Sequence, residues 1–143
     1  MIFYNYGLCD FNDYSLDDLE KVRANAFDLD YRHISNLYRN ELENGKMLAY
    51  ICTGDKKILG GAYVSNSFNS LYIEQLFVAK SYQNKHIGTN LLKYVLNDKY
   101  NIERYFNQEF NYSKLTDITD SDFYTNMGYK DGNSRFYSLK KRL

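Results

Sequence analysis

A carboxylate stands inside an otherwise apolar run, Leu71-Tyr72-Ile73-Glu74-Gln75-Leu76-Phe77-Val78. Such a group is costly to bury unless it is paired or used, so Glu74 is a candidate general base. Strand alternation places Tyr72, Glu74, Leu76 and Val78 on one face and Ile73, Gln75 and Phe77 on the other. The alternative for Glu74 is a carboxylate paired on an open sheet face. A polar loop over residues 79–86 follows, and a helix then opens near Ile87 with no Ser, Thr or Asp at its cap. The first N–H groups of that helix have no side-chain partner in the sequence, and they carry the positive end of its dipole. That combination suits a phosphate. Lys80 and Lys85 add positive charge beside it, and Gly88 permits close backbone approach. A strand, a loop and a helix with one Gly also occur without any ligand.

The surrounding elements must position these groups. Ser15 with Asp18 resembles a capping box, and Leu16, Leu19, Val22, Ala26 and Leu29 follow at helical spacing. A second helix is expected from Asp30, with Ile34, Leu37, Tyr38 and Leu42 on one face and Asn44-Gly45 ending it. Residues 47–53 read as a strand closed by a Gly54-Asp55 hairpin signal. Residues 58–67 read as the next strand, where Gly60-Gly61 points to a bulge or a close backbone approach. A polar turn at 66–69 leads into the strand that carries Glu74, completing an antiparallel meander. Ile87, Leu91, Leu92, Val95 and Leu96 form the buried stripe of the next helix, which Asn97-Asp98 ends. Residues 102–110 alternate weakly and read as a strand, 119–127 as a short helix closed by Gly128, and 134–139 as a last strand. One further strand is expected at the N-terminus.

The 143 residues fit one domain, 1–143, around a single core, and the 44% apolar and 25% charged content is that of a globular chain. No apolar run is long enough to span a membrane, and no secretory signal is visible. Eighteen basic and eighteen acidic residues leave no net charge, which argues against electrostatic capture of nucleic acid or an anionic membrane. The charge is uneven: residues 1–45 carry nine acids against four bases, and 46–109 carry eight bases against five acids. That is either two solvated faces, or a cationic substrate near the first third and an anionic cofactor near the middle. Cys9 and Cys52 lack metal-ligand spacing and read as reduced thiols of a cytoplasmic protein, the alternatives being a disulfide or a catalytic thiol. With only two histidines, His33 and His86, no metal site is expected. The 16 Tyr, 16 Asn and absent Pro carry no functional weight as a class.

The stretch from Gln83 to Gly88 resembles motif A of the GCN5-related N-acetyltransferases, the GNAT superfamily. The family pattern is (Arg/Gln)-x-x-Gly-x-(Gly/Ala), and Gln83 and Gly88 match its first and last positions. Leu76-Phe77-Val78 matches the preceding strand, and Thr89-Asn90-Leu91-Leu92 the following helix. Phe123-Tyr124-Thr125-Asn126-Met127-Gly128-Tyr129 resembles the second landmark, Phe-Tyr-x-x-x-Gly-Phe. His86 replaces the middle glycine: its Cβ crowds the site or demands an unfavourable φ, its imidazolium donates to phosphate, or the loop tolerates it. The Asn that many relatives carry before the Phe-Tyr pair is missing, with Asp117 and Thr119 in its neighbourhood.

The resemblance implies an α+β fold layered α/β/α, with a mixed, mostly antiparallel sheet, a splayed central strand pair and helices on both faces. It implies acetyl transfer from acetyl-CoA to a primary amine by direct attack, without a metal. Backbone groups of Leu76, Phe77 and Val78 would hold the pantetheine and acetyl carbonyl. Amides of Gln83, Asn84, Lys85, His86, Ile87, Gly88 and Thr89 would hold the pyrophosphate. Tyr124 would protonate the leaving thiolate, or is one more packed tyrosine. The run around Glu74 is similar to that of polyamine-type members, in which this Glu is proposed to help deprotonate the amine. Asp28, Asp30 and Glu41 lie on the helices that usually form the acceptor wall, and the acidic first third favours a cationic amine. A homodimer is expected. The alternative is a non-catalytic acetyl-CoA-binding sensor or interaction module of the same fold.

Overall fold

The structure is a computed structural model that describes residues 3–67 and 70–110. A four-stranded antiparallel sheet runs in the order β1 (Asn5–Leu8), β2 (Met47–Gly54), β3 (Lys57–Ser67) and β4 (Ser70–Val78). Helices α1 (Leu16–Ala26) and α2 (Leu37–Glu43) join β1 to β2, and α3 (Ile87–Asn97) and α4 (Lys99–Phe106) follow β4. β1 is the expected N-terminal strand. The β2–β3 hairpin turns through Asp55 and Lys56, both at positive φ (52° and 61°), the turn whose twist matches that of the strands it joins.

Each face of the sheet carries its own core. Leu19, Phe27, Leu42, Met47, Tyr63 and Phe77 pack on the α1–α2 side. Leu71, Ile73, Leu76, Leu91, Leu92, Val95 and Ile102 pack on the α3–α4 side. This is the α+β, GNAT-like architecture with helices on both faces. A splayed strand pair would need a partner for β4 beyond residue 110, outside the described residues. The expected helix at 119–127 and strand at 134–139 also lie outside them.

Three expectations are corrected. The second helix does not start at Asp30. The Asp30 carboxylate accepts from the Arg32 N–H and caps a single 3-10 turn, Tyr31–His33, and α2 begins only at Leu37. Leu29 accordingly falls beyond the end of α1. Residues 99–106 form a helix where the expected strand at 102–110 begins. Ile102 and Phe106, four apart, both turn onto the α3–α4 core, and Asn107 ends the helix at a left-handed φ of 51°. The strict alternation along β4 also fails. Tyr63 pairs with Gln75 and Val64 with Ile73, so Glu74 is an extra residue in a β-bulge. The bulge puts Ile73 and Leu76 in the same core cluster, although Ile73 and Leu76 would face opposite ways in a regular strand.

The close approach expected at Gly60-Gly61 is present. A Cβ on Gly60 would stand 2.6 Å from the Phe77 carbonyl oxygen, and one on Gly61 would stand 2.6 Å from the Phe77 ring. A bulge accompanies it: Cys52 pairs with Gly60 but Thr53 with Ile58, which leaves Leu59 as the extra residue. No helix among the described residues is long and apolar enough to cross a membrane.

Candidate functional site

β4 delivers the chain to the loop with Leu76, Phe77 and Val78 all buried. The Ala79 N–H donates to the Leu59 carbonyl at 2.8 Å, and a 3-10 turn, Lys80–Tyr82, follows. The Gln83 amide folds back and donates to the Val78 carbonyl at 2.9 Å, closing the loop against the strand end. Asn84 and His86 then take left-handed φ values of 63° and 64° on either side of Lys85. The step from left-handed His86 to helical Ile87 joins successive residues of opposite hand, the backbone arrangement whose N–H groups can receive an anion. α3 opens immediately with no side-chain cap at His86. Ile87 and Gly88 are buried beneath this end, while Asn84, Lys85 and His86 are exposed.

His86 therefore adopts the left-handed conformation that a glycine would take there, one in which His is several-fold enriched over most residues. Lys85 stands over the Tyr82 ring, its Nζ 5.7 Å from the centroid. Lys80 is not a free phosphate-binding cation: it is ion-paired with Asp28, and its N–H donates to Asn25 at 2.9 Å. These contacts tie the loop to the C-terminal end of α1. Among the described residues β4 pairs only with β3, so its second edge faces away from the meander.

Glu74 lies at the middle of β4, four residues before Val78, half-buried, with Ser65 Oγ donating to its Oε1 at 2.9 Å. The bulge brings it to a pocket of about 400 Å³ whose walls include Tyr38, Glu41, Lys46, Ser65, Asn66 and Phe106. Of the three acids expected at the acceptor wall, only Glu41 reaches this pocket. Asp28 pairs with Lys80. Asp30 holds Arg32 and His33, each at 3.1 Å, and hydrogen bonds from Arg32 keep its carboxyl below the usual range. Asp30 lines a separate pocket of about 450 Å³ with Arg23, His33 and Leu37. Tyr124 and its Phe-Tyr landmark lie outside the described residues.

Sequence reasoning missed the polar groups behind Glu74. Glu20 and Arg23 are buried on the core face of α1, with Arg23 Nε 2.8 Å and Nη2 3.1 Å from the two Glu20 oxygens. Burial is the largest influence on Arg23 and opposes its charge, but its hydrogen bonds to Glu20 and the Glu20 charge together outweigh it and hold the guanidinium above its ordinary range. Tyr63 donates to Glu20 at 2.6 Å, and burial first, then the Glu20 charge, raises its phenol well above normal. Gln75 is fully buried between this cluster and Glu74. The available signal was an ionic pair three apart, flanked by Leu19 and Ala24, and an amide inside an apolar strand. Cys9 and Cys52 are free thiols, as expected.

The family model described as an acetyltransferase (GNAT) domain matches residues 13–139. The chain belongs to the GNAT acetyltransferase family. Solved structures share the fold at low identity. An aminoglycoside acetyltransferase from an uncultured soil metagenomic sample, in complex with trehalose, aligns with TM-score 0.57 and 20% identity, covering 87% of this chain and 86% of that one. A predicted acetyltransferase with acetyl-CoA from Clostridium acetobutylicum aligns with TM-score 0.52 and 17% identity, covering 88% and 89%. An integron cassette protein from the mobile metagenome of Vibrio cholerae aligns with TM-score 0.51 and 20% identity, covering 87% and 84%. No curated protein matches the chain in sequence.

Proposed function

We propose that this chain transfers an acetyl group from acetyl-CoA to a primary amine by direct attack, and that the acceptor is cationic. The observation that carries the reading is the loop over residues 79–86. Its paired left-handed residues, Asn84 and His86, lead straight into the uncapped end of α3. Amides of residues 83–89 would hold the pyrophosphate, with Lys85 the nearby cation. Backbone groups of Leu76–Val78 would hold the pantetheine and acetyl carbonyl. When bound, acetyl-CoA supplies an activated acyl group and a thiolate leaving group.

The chain's own residues manage the protons. An ammonium has no lone pair, so the acceptor must lose a proton before it attacks. Glu74, steadied by the Ser65 hydroxyl, takes that proton directly or through a water. Glu41, on the same pocket, supplies a second carboxylate that favours a positively charged acceptor, and Lys46 disfavours one of high charge. Tyr124 donates to the departing thiolate. The neighbouring aminoglycoside acetyltransferase and the acetyl-CoA complex are consistent with this class of reaction.

The test is thiol release from acetyl-CoA with a panel of amines. Glu74→Gln is expected to lower turnover by roughly 100-fold or more, the usual worth of a general base, with acetyl-CoA affinity unchanged. Tyr124→Phe is expected to lower turnover in the same way. Full turnover in both variants would remove the catalytic assignment, and acetyl-CoA binding without thiol release from any amine would favour the sensor reading.

A further inference from the structure

Gln75 has both of its amide donors committed. Its Nε2 lies 3.2 Å from Tyr38 Oη, on α2, and 2.7 Å from the Glu74 carbonyl, on the bulge itself. A primary amide has two N–H bonds, and here one is spent on each side of the pocket that Tyr38 and Glu74 share. The bridge is backed by a closed circuit. The Tyr38 ring receives the Arg23 guanidinium at 4.8 Å, Arg23 chelates Glu20, and Glu20 accepts from Tyr63. Tyr63 is the β3 residue paired across from Gln75. Five polar side chains from α1, α2, β3 and β4 thus converge behind one bulged residue.

Such a circuit is a poor route to stability, because well-packed apolar residues commonly replace a buried ion pair at no loss. A bulge interrupts the strand ladder, so something else must fix the backbone that it frees. We propose that Gln75 is a positioning residue: it locks the β4 bulge to Tyr38 and thereby aims the Glu74 carboxylate into the acceptor pocket. The proposal rests on the reading of Glu74 as the base. It makes α2 and the base one unit, so an acceptor seated against Tyr38 finds Glu74 already placed.

The test is a double-mutant cycle on the full chain, with acetyl-CoA and spermidine, kanamycin or poly-lysine as acceptor. Gln75→Met keeps length and volume and removes both donors. It is expected to lower kcat by about tenfold, in line with the cost of a sub-ångström misplacement, while KM for acetyl-CoA stays within about twofold. In a Glu74→Gln background the same change is expected to add less than about twofold, because there is no base left to misplace. A full tenfold loss in that background overturns the positioning role. Wild-type turnover by Glu74→Gln alone overturns the base assignment and this proposal with it, so the two failures are distinct. Tyr38→Phe, a milder change, is expected to give the same pattern at about threefold and decides the matter if Gln75→Met does not fold. Amide hydrogen exchange needs no acceptor. Gln75→Met should speed exchange at residues 73–75 at least about tenfold while the β2–β3 ladder is unmoved, and uniform change in both would overturn the proposal.

Discussion

Three glycines on the sheet offer a graded test of how tightly β3 is held against β4. An alanine Cβ at Gly60 would meet the Phe77 carbonyl oxygen at 2.6 Å and the Val78 Cα at 3.3 Å. Both are backbone atoms, so no side chain can turn away and the strands themselves must part. At Gly61 the Cβ would meet the Phe77 ring at 2.6 Å and Leu19 at 3.2 Å. Those are side chains, though Phe77 and Leu19 are wholly buried and have little room. At Gly7 nothing lies within 4 Å. Overpacking typically costs about 1–3 kcal/mol, and backbone displacement belongs at the upper end. Gly60→Ala is therefore expected to lose about 3 kcal/mol, Gly61→Ala about 1–2 kcal/mol, and Gly7→Ala less than about 0.5 kcal/mol. For a domain of this size the first loss is a fall in Tm of roughly 10 °C. Urea denaturation with a shared m-value measures all three. A Gly60→Ala variant as stable as Gly7→Ala would refute the reasoning, because it would mean that β3 and β4 yield freely beside the strand end that leads into the loop.

Further expectations concern the loop and the buried groups. His86→Gly should leave acetyl-CoA affinity within about twofold, since backbone amides are the proposed donors, whereas His86→Val should lose about 1–2 kcal/mol of stability at its left-handed φ; calorimetry and thermal melts read both. Arg23→Met should cost about 3–5 kcal/mol by stranding buried Glu20, and adding Glu20→Leu should recover most of it in denaturant melts. Burial raises the Cys52 thiol from 9.0 to about 11, so its stabilising contribution is complete below pH 9 and is lost as pH rises through about 11. There the unfolded chain has released the proton that the folded chain keeps, and the loss approaches about 3 kcal/mol. Cys52→Ala should show a correspondingly flatter alkaline stability curve, and an unchanged slope between the two proteins would contradict it.

Much of the frame was readable because it depends on local patterns. Ser15 caps α1 by accepting from the Asp18 N–H at 3.0 Å, and the α3 stripe from Ile87 to Leu96 is buried as its spacing requires. The Asp55-Lys56 turn fell where Gly54-Asp55 pointed, one residue on. What escaped depends on contacts distant in sequence. The bulge at Glu74 has no local signature in a run of apolar residues, and it reversed the face assignments across it. Weak alternation over 102–110 concealed the i,i+4 pair Ile102 and Phe106 that docks α4. Lys80 looked available until the fold brought Asp28 beside it, 52 positions earlier in the chain. Glu74 stood out in the sequence by its cost alone, and by that logic Gln75, a buried amide next to it, carried the same signal.

The central claim is that the main chain of residues 83–89 receives the pyrophosphate of coenzyme A. Titrating CoA into the 15N-labelled protein tests it most directly. The amide resonances of Asn84, Lys85, His86, Ile87, Gly88 and Thr89 should show the largest saturable shifts, well above those of the β1–β2 ladder. Saturable binding that leaves those six amides unmoved, or no binding at all, would contradict the account.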